Sequence, residues 1–135
     1  MNTAQYDRLA NAVLALLYDK HYSTAGFSTA SARFLASETC YARCCVQGAL
    51  DRLAAAGEIV IAPPFIILTR WRYRCRLANP FSDSPRAVPR HAAKHALKLW
   101  PKMPPRAREA YLASCGLTDV DELKRIVETK VGRCA

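Results

Sequence analysis

No run in this sequence of 135 residues approaches the roughly 18 apolar residues that suggest a membrane span, so a helical membrane protein is excluded as a reading. The opening "MNTAQYDRLANAVLALLYDK" lacks a basic start, and Asp7, Arg8, Asp19 and Lys20 flank or interrupt its short apolar run, so no signal peptide is expected. Six cysteines are present (Cys40, Cys44, Cys45, Cys75, Cys115 and Cys134), yet none forms a C-x-x-C pair. A site joining Cys40 and Cys44 with His91 or His95 is conceivable on ligand type. Free cysteine, however, packs as a small hydrophobe, and no metal or other cofactor is expected. There is no glycine-rich phosphate loop and no nucleophile motif, and the acids are scattered, so a role other than catalysis is expected. Internal repeats and low-complexity tracts are missing too. Together these absences point to a cytoplasmic protein with reduced thiols.

Acidic residues are scarce where basic ones are dense. Eleven of the 20 Lys and Arg residues lie between Arg70 and Arg108, against the single acid Asp83. The remaining 9 basic and 10 acidic residues nearly balance, so the formal charge of +9 belongs to this middle-to-late segment. An anionic partner is expected to be met there. With 51% hydrophobic residues the chain can also bury a core.

Apolar periodicity predicts a helix over residues 3–20 on Leu9, Ala10, Val13, Leu16 and Leu17. "HYSTAGF" ends it, with Gly26 as the breaker. A second helix is expected from Thr29 to Ser37, capped by Ser28 or Ser31. A third should run from Tyr41 to Ala56 with Val46, Ala49, Leu50 and Leu53 on one stripe, stopped by Gly57. Strands are predicted at Glu58 to Ala62 and Phe65 to Leu77, forming a hairpin across Pro63-Pro64. Asn79 to Pro89 holds three prolines and reads as a linker. Helices are then expected at Arg90–Trp100, Arg106–Cys115 and Asp119–Val131, the last capped by Thr118. The fold class is therefore mainly α with a small β-hairpin. The division is a first domain over 1–78, a linker over 79–89 and a C-terminal helical region over 90–135, basic at its start.

The segment "FLASETCYARCCVQGALDRLAAAGEIVI" resembles the winged helix-turn-helix domains of bacterial transcriptional regulators. Leu35, Ala36, Val46, Ala49, Leu50, Leu53, Gly57, Glu58 and Ile59 carry the likeness, which covers about residues 3–77. It implies a DNA-binding protein whose third helix enters the major groove. Carried over, the outward residues are Ala42, Arg43, Cys44, Gln47 and Gly48, with Arg43 suited to guanine and Gln47 to adenine. Two positions depart from the pattern. Cys40 stands where glycine is usual before the third helix, and the wing tip "APP" carries no charge.

"TRWRYRCRL" alternates without a break. As a strand it would set Arg70, Arg72, Arg74 and Arg76 on one face, about 6.6–6.8 Å apart. Such a row suits phosphates, which Arg pairs bidentately. Trp71 and Tyr73 on the other face are expected to pack inward rather than to stack on bases. In "RHAAKHALKLW", Arg90, His91, Lys94, His95 and Lys98 fall on one arc of about 140°, opposite an apolar arc. The histidines add charge below about pH 6.5.

The expected function is a small DNA-binding protein, a transcriptional regulator, that reads sequence weakly through Arg43 and Gln47. It would grip phosphates through Arg70, Arg72, Arg74, Arg76, Arg90, Lys94 and Lys98. Double-stranded DNA is the favoured partner. The alternatives are RNA, or an acidic protein engaged by a winged-helix interaction module. No membrane partner is expected. The C-terminal helices either pack back on the domain or form the face of a homodimer.

Overall fold

The computed structural model describes residues 2–19, 25–71, 88 and 90–128. Among them the chain is mainly helical with a small antiparallel sheet. Helix α1 (Thr3–Tyr18) opens on a reciprocal cap. The Asn2 side chain accepts from the Gln5 N–H, and the Gln5 side chain accepts from the Asn2 N–H, both at 2.9 Å. Helix α2 (Ala32–Thr39) is capped by Ser31, whose hydroxyl accepts from the Phe34 N–H at 3.1 Å. The chain then turns at Cys40, which takes φ 61°, the left-handed conformation that glycine adopts most readily. Helix α3 (Arg43–Ala55) follows and stops at Gly57, φ 76°. There the Glu58 N–H returns to the Leu53 carbonyl at 3.0 Å.

Strands β1 (Phe27–Ser28), β2 (Ile59–Ala62) and β3 (Phe65–Leu68) form a sheet in the order β1-β3-β2, antiparallel throughout. The hairpin tip is Pro63-Pro64, joined by a cis peptide bond. The strand β1 was not anticipated. It has two residues, too short for an alternation pattern, and its register on β3 creates it. The predicted strand to Leu77 ends instead at Leu68. Thr69 and Arg70 turn, and Trp71 is helical and buried. Thr69 is still tied to the start of β2: its N–H donates to the Glu58 carbonyl at 3.3 Å and its hydroxyl to the Gly57 carbonyl at 2.6 Å.

After the sheet come α4 (Arg90–Leu99), a 3₁₀ turn (Trp100–Lys102), α5 (Pro105–Cys115) and α6 (Val120–Glu128). Helix α5 packs back on β3 and β2, α6 packs on α4, and the buried residues form one core from Leu9 to Ile126. Register and pleat place Phe27, Val60, Phe65 and Ile67 on one sheet face. There the Phe27 ring meets Phe65 at 5.8 Å, Tyr111 of α5 at 5.6 Å and His95 of α4 at 5.5 Å. Ile66 on the other face lines a groove with Leu50 of α3. All four β3 residues are buried, as a strand covered on both faces must be. Val88, the described residue of the expected linker, is buried in the same core.

The cap of α6 is Asp119 rather than Thr118. Asp119 Oδ1 accepts from the Glu122 N–H at 3.0 Å. Glu122 turns back to accept from the Thr118 N–H and hydroxyl. Asp119→Ala is expected to lower stability by about 1 kcal/mol in urea denaturation. Asp119→Asn, which keeps the acceptor, should restore most of that. Among the described residues no helix is long and apolar enough to cross a membrane.

Candidate nucleic-acid interface

The outer side of α3 is built by its buried stripe. Val46, Ala49, Leu50 and Leu53 are drawn into the core, which leaves Arg43, Cys44, Gln47 and Asp51 exposed. Arg43 sits in the first turn and makes no ion pair among the described residues. Gln47 borders an apolar groove of about 250 Å³ between α3 and the hairpin tip, where Pro63 and Pro64 stand. Gly48 is not outward. It is half-buried under Tyr6 of α1, and a Cβ there would stand 3.0 Å from the ring. The missing side chain lets α1 approach α3. Arg52 closes the same contact by pairing with Asp7 at 2.7 Å and lying over the Tyr6 ring.

Helix α4 presents the separation its sequence predicts. Ala92, Ala93 and Ala96 are buried, and Arg90, His91, Lys94, His95 and Lys98 are exposed. Lys102 and Arg106, exposed just beyond it, extend the basic surface. They continue the spacing of four set by Arg90, Lys94 and Lys98, but Pro101, Pro104 and Pro105 break the helix between them, so the period alone did not assign them to the same surface. Among the described residues no carboxylate pairs with Lys94, Lys98, Lys102 or Arg106. His95 is fixed by its ring, stacked within 4° of parallel on Phe27. Arg90 is partly committed elsewhere. Its Nε donates to the Val127 carbonyl at 2.8 Å, satisfying a carbonyl at the end of α6.

No protein-family model, curated protein or solved structure matches this chain.

The arginine row does not begin as expected. Arg70 lies in a turn and reaches Glu58, with Nε 3.7 Å from Oε1, so its charge is partly answered within the protein. Arg72, Arg74 and Arg76 lie outside the described residues, as does Tyr73. Trp71 packs inward, against Gly26. Cys40 and Cys44 are exposed, and Cys115 is buried. Desolvation raises the Cys45 thiol above its ordinary pKa, with the adjacent Cys44 adding to the rise, so the protonated thiol is favoured there. Among the described residues no three His, Cys, Asp or Glu side chains cluster closely enough to hold a metal ion. The acid Asp51 was overlooked in reading α3, although its spacing of four from Gln47 was available to find it.

Proposed function

We propose that this chain is a DNA-binding protein on a winged helix-turn-helix scaffold, acting in transcriptional regulation. The observation that carries the proposal is the exposed side of α4, where Lys94 and Lys98 stand without a carboxylate partner among the described residues. Folding leaves like charges side by side there, and a phosphate backbone relieves their repulsion. The order α1-β1-α2-α3-β2-β3, with β3 central in the sheet, agrees with such a scaffold. So does the left-handed residue before α3. In this reading Arg43 and Gln47 face base edges. Arg72, Arg74 and Arg76 join the phosphate surface on charge alone, while Arg70 and Arg90 contribute less because each has a protein partner.

A second reading is an interaction module for an acidic protein. Phe34 and Tyr41, at α2 and the turn into α3, are the large hydrophobic side chains left exposed among the described residues. The hairpin tip, Pro63-Pro64, carries no charge. Fluorescence anisotropy with duplex DNA, single-stranded DNA and RNA over a salt series separates the readings. Duplex DNA should bind most tightly. The Lys94→Ala/Lys98→Ala variant should shallow the log–log salt slope by about 1.8, two contacts at about 0.9 each. An unchanged slope removes α4 from the phosphate surface. Absence of nucleic-acid binding even at low salt leaves the acidic protein as the partner.

A further inference from the structure

Arg43, Gln47 and Asp51 are spaced four residues apart on α3 and are all exposed, so they form one stripe down its outer side. A carboxylate is out of place on a surface meant for phosphates, and this one is engaged. Gln47 Nε2 donates to Asp51 Oδ1 at 3.3 Å. A primary amide carries two N–H donors and one carbonyl acceptor, whereas an ionised carboxylate only accepts. The Asp51 bond therefore decides which end of the Gln47 amide faces it and uses one of the two N–H groups. One carbonyl and one N–H are left for a partner.

Base edges differ in what they ask of that pair. In the major groove adenine offers the N6–H donor and the N7 acceptor, which one carbonyl and one N–H match together. Guanine offers two acceptors, N7 and O6, and engaging both requires two donors. We propose that Asp51 is a positioning residue that orients Gln47 to read adenine and withholds the second N–H that guanine would need. The inference rests on α3 being the DNA-facing helix. It adds a specificity determinant four residues beyond the amide that makes the contact.

The test is selection of bound duplexes from a randomised pool by the full chain and by Gln47→Ala, Asp51→Ala and Asp51→Asn. Asp51 is exposed, and circular dichroism checks that each variant keeps the fold. The wild type should enrich adenine over guanine at one position, and Gln47→Ala should lose that preference. Asp51→Ala should reduce it by about tenfold, within the range for one bidentate contact. Asp51→Asn, whose side-chain carbonyl still accepts, should keep most of it. Both Asp51 variants should bind non-selected duplex more tightly at low salt, because a negative charge has left the surface. If Asp51→Ala tightens binding and leaves the preference intact, Asp51 acts by charge alone and the proposal fails while DNA binding stands. A wild type that binds duplex without preference has the same consequence. A wild type that binds no duplex overturns both.

Discussion

Phe27→Ala should destabilise the protein by about 3–5 kcal/mol, the range for removing a buried aromatic side chain. Phe27 is buried, and its ring is where the sheet meets both C-terminal helices that touch it: Tyr111 of α5 edge-on and His95 of α4 face-on. Phe65 completes the cluster at 5.8 Å. The loss should therefore exceed that of His95→Ala, whose side chain is exposed and whose removal leaves no internal cavity. Urea denaturation of the two variants measures the difference. A second readout is specific to the contact. The His95 ring protons lie over Phe27 and should lose their ring-current shift in Phe27→Leu, a variant that refills most of the volume. Equal destabilisation by Phe27→Ala and His95→Ala would mean that Phe27 does not anchor α4 and α5 to the sheet.

Gly26→Ala should cost about 2–5 kcal/mol, from two separate sources. At φ 89° an L-residue is disfavoured by roughly 1–2 kcal/mol. The new Cβ would also stand 2.7 Å from the Trp71 indole, an overpacking of the kind that typically costs about 1–3 kcal/mol. Gly57→Ala is the control. Gly57 has a similar φ of 76° but nothing within 4 Å of the added methyl, so only the conformational part should appear, about 1–2 kcal/mol. Thermal and chemical denaturation should rank Gly26→Ala clearly below Gly57→Ala. The pairing of Gly26 with Trp71 also explains why the chain leaves the sheet at Leu68. The indole has a seat on the β1 approach that only a residue without a Cβ can offer, and reaching it takes Trp71 out of strand geometry.

The electrostatic arrangement follows from the same folding choices. Glu58 at the start of the hairpin answers Arg70, and the end of α6 takes a hydrogen bond from Arg90. Among the basic residues left without a carboxylate partner among the described residues are Lys94, Lys98, Lys102 and Arg106, on and just beyond α4, and Arg43 at the head of α3. These are the positions at which substitution should change the salt dependence of binding with least effect on stability, since exposed charges contribute little to folding.

Much of this architecture was legible in the residues. The buried faces of α1, α3 and α4 coincide with their apolar periods because an amphipathic helix has one way to hide its stripe. "FIIL" reads as a continuous apolar run because β3 is covered on both sides. The stop at Gly57, the cap at Ser31 and the split of α4 into basic and alanine faces are local properties, and local sequence determined them. The alternation of "TRWRYRCRL" was equally clear, and it misled at its start. Alternation says which residues could share a face, and it holds no information about a glycine 45 positions earlier that accepts an indole. The two-residue β1, the inward turn of Gly48 beneath Tyr6, the ion pair of Arg70 and the bond that orients Gln47 depend on where side chains meet. The sequence by itself determined where the charge lies and which helical faces carry it. The tertiary structure decided which of those charges are answered from within, because pairing is settled by distances that only the packed chain defines.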